Sequence, residues 1–272
     1  MTQPIILVTG STDGIGKATA RELALAGAHV ILHGRDREKG EKVQREIKNI
    51  SWNTELDLLV SDLSSLSNVR RLAEEIVLAY DRLDVLINNA GTYELRRRLT
   101  EDGIETTFAV NYLSPFLLTR LLLPLLRKSA PSRVVNMASI AHRDVRRIEW
   151  DNLQGERQYN AFEAYAQSKL ADITFTYSLA ERTSGTGVTA NCLHPGVIAT
   201  KMLREGFPSI RGKSPAHGAK IPVFLALSPD ASHYSGMYFE ESQSPVRSSD
   251  LTYESLVQER LWNAAEELTG RW

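Results

Sequence analysis

Tyr165 and Lys169 stand four residues apart, in a run whose pattern predicts a helix from about Ala161 to Thr183. At that spacing two side chains leave one helix face, a turn apart. A phenol ordinarily loses its proton near pH ~10. An ammonium group a few ångströms away favours the phenolate and lowers that value. The pair is therefore a candidate proton donor and acceptor near neutral pH. The same spacing also fits a plain solvated helix face. Its weight comes from three segments that precede it.

The first is Ile5-Ile6-Leu7-Val8-Thr9, a β-branched run without charge, followed by Gly10-Ser11-Thr12-Asp13-Gly14-Ile15-Gly16 and a helical pattern from Lys17 to Ala26. Strand, glycine turn and helix together bring a pyrophosphate to a helix N-terminus, where free N–H groups meet the anion. The spacing is G-x-x-x-G-x-G rather than G-x-G-x-x-G. The second segment, Leu83 to Gly91, is a buried strand pattern ending in Asn88-Asn89-Ala90-Gly91. Ligands of open parallel sheets lie beyond the carboxyl ends of the strands, which puts Asn89, Ala90 and Gly91 at a cofactor edge. The third, Arg133 to Ser139, ends at the same edge in a hydroxyl that could donate to a substrate carbonyl or simply cap a turn.

In this order the segments resemble the short-chain dehydrogenase/reductase family over nearly the whole chain. The glycine motif falls on Gly10, Gly14 and Gly16, N-N-A-G on Asn88 to Gly91, and the Pro-Gly motif on Pro195 and Gly196 with Thr200 following. The resemblance implies Asn111, Ser139, Tyr165 and Lys169 as catalytic residues. It further implies cofactor contacts at Gly10, Ser11, Asp13, Gly14, Ile15, Gly16, Arg35, Asp62, Leu63, Asn89, Ala90, Gly91, Tyr165, Lys169, Pro195, Gly196 and Thr200. Asp36 to Gly40, Ser139 to His142, Ala164 to Ala171, Gly187 to Gly196 and the tail from Gly236 to Gly270 are similar to a retinol dehydrogenase-like branch.

The implied roles agree with the chemistry of the side chains. Tyr165 exchanges a proton with the carbonyl oxygen. Lys169 lowers the pKa of Tyr165 and holds the nicotinamide ribose. Ser139 hydrogen-bonds the substrate oxygen, and Asn111 positions a relay water. Second-strand residues bear on cofactor choice. The acid that selects NAD in the family aligns with Gly34, and Arg35 can pair with a 2′-phosphate, so NADP(H) is expected over NAD(H). Asp36, the contrary candidate, is expected to cap the next helix.

Strand-like runs fall near 4–9, 28–33, 55–60, 83–88, 132–138, 187–193 and 236–239, with helical patterns between them. This alternation predicts an α/β fold: a single Rossmann-type doubly wound domain over 1–272, about seven strands with helices on both faces. The order 3-2-1-4-5-6-7 comes from the family. Residues 143–160, 202–214 and 238–250 are expected as substrate loops and lid. Trp150, Leu153, Tyr159, Met202, Leu203, Phe207, Ile210, Tyr238 and Phe239 would make their lining apolar. The terminal helix shows Leu256, Leu261, Trp262, Ala265 and Leu268 near one core-packing stripe.

Composition narrows the partners. The net charge of −1 gives no sign of a nucleic-acid partner. The richest apolar stretch, Leu117 to Leu126, is broken by Arg120 and reads as core or subunit contact, so no membrane anchor is expected. A lone Cys192 fits a reducing cytoplasm and reads as core. No metal-ligand spacing surrounds His142, which could face the cleft, and Arg96-Arg97-Arg98 reads as a solvated loop. The expected activity is hydride transfer between NADP(H) and an apolar aldehyde or ketone, or the corresponding alcohol, in a possible homodimer. A dinucleotide sensor or scaffold and a sugar-nucleotide epimerase or dehydratase are the competing readings.

Overall fold

Alternation along the central strands divides the apolar residues between two cores. In the computed structural model, which describes residues 3–270, β1 (Ile5–Val8) turns Ile6 and Val8 to one side of the sheet and Leu7 to the other. The same period of two splits Val30 and Leu32 from Ile31 in β2 (His29–Gly34), and Val85 and Ile87 from Leu86 in β4 (Val85–Asn88). With both faces covered, these strands carry apolar residues in succession, as a parallel sheet requires. β3 (Leu56–Val60), β5 (Ser132–Met137), β6 (Val188–Leu193), β7 (Met237–Phe239) and β8 (Pro245–Val246) complete an eight-stranded sheet of order β3-β2-β1-β4-β5-β6-β7-β8. The first seven run parallel, in the expected order. The eighth strand pairs antiparallel with β7, Tyr238 opposite Val246 and Phe239 opposite Pro245.

One face carries α1 (Gly14–Leu25), α2 (Arg37–Ser51) and the later α9 (Lys220–Leu227). The other carries α3 (Leu66–Ala79), α5 (Ser114–Lys128), α6 (Ala161–Arg182) and α10 (Ser255–Thr269). Side-chain caps fix several starts. Asp36 accepts from the Lys39 N–H at 3.0 Å to begin α2, as expected, and Asn160 accepts from Phe162 and Glu163 at 2.9 and 3.1 Å to begin α6. Helix α1 starts three residues earlier than its apolar pattern, because Asp13 caps it and draws Gly14 and Gly16 into its first turn.

Three expectations need correction. Tyr238 and Phe239 do not line a pocket: β7 pairs with β6, Cys192 with Tyr238 and Leu193 with Phe239, and both rings are buried in the core. The segment 238–250 accordingly begins in β7 and is interrupted by β8, its loop residues confined to 240–244 and 247–249, before a 3₁₀ turn (Asp250–Tyr253). In α10 the buried stripe is Val257, Leu261, Trp262, Ala265 and Thr269, while Leu256 is 65% exposed.

The apolar stretch read as Leu117–Leu126 is also longer. Short α4 (Thr106–Phe108), a π turn (Ala109–Leu113) and α5 continue into one another. The span Thr106–Lys128 has a mean hydropathy of 1.4 over its best 18 residues, long and apolar enough to cross a membrane by length and composition, and 72% of that window is buried inside the fold. Phe108, Tyr112 and Phe116 extend it as successive touching rings, and Phe116 meets Phe175 and Trp262. Arg120 lies over the Phe116 and Trp262 rings and pairs with Glu266.

Candidate active site

The glycine turn is built around side chains that are not there. A Cβ on Gly10, which has φ +63°, would stand 2.9 Å from Ala90 Cα, and one on Gly16 would stand 2.3 Å from both Asn89 Nδ2 and Gly10 O. The turn after β1 therefore presses on the turn after β4. Asn89 donates its amide to Thr9 O at 2.8 Å and Gly10 O at 3.1 Å, so its side chain ties the two turns together. Ser11 is turned inward, accepting the His33 N–H at 2.8 Å. What the turn presents outward is backbone and the start of α1, where the N–H groups of the first turn have no intrahelical acceptor. Gly14 faces Thr200, whose Cγ2 would lie 3.2 Å from an added Cβ, and Ile15 and Ile198 close on Gly218 from either side. This cradle of glycines at a helix N-terminus fits the diphosphate of a dinucleotide.

At the ends of β2 and β3, Arg35, Val60, Ser61, Asp62, Asn68 and Arg71 line a cavity of about 330 Å³. Arg35 and Asp62 thus share one recess. Leu63 turns into the core, its carbonyl accepting from Ser114 Oγ. Gly34 leaves no room for a side chain, since a Cβ there would stand 2.5 Å from Thr12 Cγ2. Lys39, one turn into α2, pairs with Asp13. That bond holds the Asp13 carboxyl below its usual value, against its partial burial.

Beyond β4 and β5 the structure gathers Asn111, Lys169 and Tyr165. Lys169 is only 5% exposed and donates from Nζ to Met137 O and Asp172 Oδ2, both at 2.8 Å. Its Nζ lies 5.9 Å from the centre of the half-buried Tyr165 ring. Asn111 is held from both sides: Oδ1 accepts the Thr92 N–H at 2.7 Å, and Nδ2 donates to Thr92 O and Ser168 Oγ, each at 3.0 Å. It sits in the π turn, a local widening frequent at functional sites. Pro115 follows, and a proline has no N–H to give the Asn111 carbonyl. Gly91 stands among these groups, an added Cβ reaching Asn111 Oδ1 at 3.3 Å and Lys169 Nζ at 3.9 Å. Ser139, at the end of β5, begins a 3₁₀ turn (Ile140–Asp144), accepting the Ala141 N–H at 3.3 Å.

The surrounding loops form a roof. Thr200 caps α7 (Lys201–Gly206), accepting from Leu203 at 3.2 Å, and Met202 Cε approaches Gly91. Gly206 rests on the Tyr93 ring, and Tyr93 meets Phe207 at 5.1 Å between centroids. Phe207 in turn meets Phe162. The segment closes back on the loop after Gly196 at Lys213, whose backbone bonds Val197 and Ala199, ahead of α8 (Pro215–Gly218). Lys213 and His217 both pair with Glu241, whose carboxyl lies where a Cβ on Gly196 would be, behind the Pro195-Gly196 turn. Trp150 and Leu153 pack against the core beneath, and Tyr159 donates to Glu94 O at 2.8 Å. Arg96, Arg97 and Arg98 are exposed, Arg97 donating to Gln154 O.

Two histidines make bonds that hold the backbone of the site. His142 bonds Ser139 O through Nδ1 at 2.6 Å, and Nε2 accepts the Ser249 N–H at 3.1 Å, which fixes a neutral tautomer. It therefore ties Ser139 to Ser249, in the segment after β8. His33 accepts the Gly10 N–H at 3.2 Å, and burial pushes its pKa down to about 4. Among the described residues no cluster of His, Cys, Asp and Glu could hold a metal. A cavity of about 630 Å³ near Thr183–Thr189 lies at the other end of β6 and holds none of the candidate residues.

His33, Tyr93, Asp172 and Glu241 are among the contacting residues that escaped the sequence reading. Asp172 alone carried a signal, three residues beyond Lys169 on the same helix face. The other three reach the site through tertiary packing.

A sheet of this order, a glycine turn at the first helix and a Tyr-x-x-x-Lys helix beside it define a dinucleotide-dependent oxidoreductase of the short-chain class. The short chain dehydrogenase family model matches residues 4–210, and the chain belongs to that family. It is 41% identical to retinol dehydrogenase 12 of Mus musculus, covering 98% of this chain and 86% of that protein, and 39% identical to retinol dehydrogenase 13 of Homo sapiens, covering 97% and 84%. A short chain dehydrogenase from Escherichia coli CFT073, solved in complex with NADPH, is 30% identical with a TM-score of 0.74, over 89% of this chain and 98% of that one.

Proposed function

We propose that the protein interconverts apolar aldehydes or ketones and their alcohols with NADP(H). The observation that carries the reading is the convergence of Tyr165, Lys169 and Asn111 beside Gly91, at the edge where the glycine turn can hold a dinucleotide. Bound there, NADP(H) would supply or accept the hydride, and the protein supplies orientation and charge. Tyr165 gives a proton to the carbonyl oxygen in reduction and takes it back in oxidation. Ser139 hydrogen-bonds that oxygen. Lys169 keeps a positive charge beside the phenol: burial alone would lower its pKa, but the Asp172 and Tyr165 charges hold it above its ordinary value.

Two features support NADP(H). Gly34 excludes an acid by its contact with Thr12, and Arg35 lines the recess where an adenosine ribose would end. The NADPH complex of the E. coli relative agrees with that choice. The apolar substrate class rests on Tyr93, Phe162 and Phe207 around Tyr165. A cytoplasmic location and a homodimer go with this reading, and light scattering of the purified chain tests the homodimer. The activity itself is tested by NADPH oxidation with a panel of apolar aldehydes, ketones and sugars of matched size. Reduction of the apolar members supports it, and a clear preference for sugars contradicts it.

A further inference from the structure

We propose that Asp172 is a positioning residue that sets how strongly Lys169 acts on Tyr165. The inference rests on the reading of Tyr165 and Lys169 as the proton-handling pair. Asp172 is 2% exposed, and its Oδ2 accepts from Lys169 Nζ at 2.8 Å. The other assigned Nζ bond, to Met137 O, is to a neutral group at the end of β5. Asp172 gives this buried ammonium a counter-charge from one helical turn away. The same carboxylate divides the ammonium's field. Tyr165 faces a paired Lys169 rather than a free unit charge, with Nζ drawn toward β5 and 5.9 Å from the phenol ring centre.

The other ionisable groups near the pair are neutral at working pH. Cys192 of β6 and Tyr112 of the π turn both sense the Asp172 charge, and burial holds each far above its ordinary range. Tyr93 lies against Tyr165, and burial raises it as well. Asp172 is itself pushed up to about 6 by burial, against the pull of Lys169, so it is largely ionised at neutral pH. The local charge balance is therefore Lys169 against Asp172, and removing Asp172 changes it by a full unit.

The test is a difference titration of the tyrosinate absorption band in the free protein, subtracting the Tyr165→Phe counterpart of each variant so that Tyr165 alone remains. Asp172→Asn keeps an acceptor of the same shape and removes the charge. Its midpoint should fall by about one pH unit or more relative to the parent. Asp172→Glu keeps the charge and should restore the parental midpoint. If Asp172→Asn does not fold, Asp172→Ser must show the same fall. A neutral folded variant whose midpoint stays put or rises would overturn the proposal and leave Asp172 a packing residue. The titration uses neither substrate nor dinucleotide, so failure of this inference and failure of the proposed activity appear in different measurements.

Discussion

The Tyr93 ring stands edge-on to Tyr165, their centroids 5.5 Å apart and their planes at 63°, and Phe207 packs against Tyr93 in turn. The segment after α7 thus reaches the phenol through aromatic contact. An aromatic pair is worth about 0.5–1.5 kcal/mol beyond its buried area. Phe207→Ala should therefore raise KM for aromatic carbonyls roughly 3- to 10-fold, with kcat little changed. Steady-state kinetics on a series of aryl aldehydes measures this. An unchanged KM would mean that this segment does not contact substrate.

Gly16 is the most constrained point of the cofactor cradle. Its missing Cβ would overlap Asn89 Nδ2 and the Gly10 carbonyl, and one of those contacts is backbone. Gly16→Ala should cost about 1–3 kcal/mol of stability and abolish dinucleotide binding. Urea unfolding together with a fluorescence titration of NADPH reads both. Tight NADPH binding by Gly16→Ala would show that the turn is not the diphosphate site.

His33 makes the cradle acid-sensitive. Its folded pKa of about 4 lies below the ordinary 6.5, so the unfolded chain binds the proton more readily. Its contribution to stability is complete above about 6.5 and is lost as pH falls toward 4, to a total of about 3 kcal/mol. His33→Gln keeps an acceptor for the Gly10 N–H but does not titrate in this range. The variant should lose less stability than the parent between neutral pH and pH ~4.5 in urea denaturation. Equal losses would place the acid sensitivity elsewhere.

Much of this was legible in the chain. Short uncharged apolar runs and glycine punctuation locate seven strands, and Tyr165 and Lys169 lie on one helix as their spacing requires. What stayed hidden is what local pattern does not encode. Pro245–Val246 is too short to show a period and becomes a strand only by pairing with β7. Tyr238 and Phe239 looked like pocket residues because they begin a polar, irregular segment, yet pairing with β6 buries them. Leu256 and Val257 are neighbours on α10, and only the packing decides which of the two is buried. Tyr93 and Glu241 meet the site through folds of loop that no periodicity reports.

Cofactor choice has its own test. Arg35 is exposed at the mouth of the recess it shares with Asp62. A charge-assisted bond to a 2′-phosphate is worth about 1.5–3 kcal/mol. Arg35→Ala should then weaken NADPH roughly 10- to 100-fold and leave NADH nearly unaffected. Isothermal titration with both dinucleotides decides it. Equal weakening would remove the phosphate role from Arg35.

The central claim is that Tyr165 handles the proton. Tyr165→Phe removes one oxygen from a half-buried ring and leaves Lys169, Asn111 and the glycine cradle in place. The direct measurement is NADPH-dependent reduction of an apolar carbonyl panel by this variant, paired with NADPH binding. The account predicts that turnover is lost by a factor of at least about 10² while NADPH affinity is nearly kept. Turnover close to that of the parent, with binding intact, would contradict it.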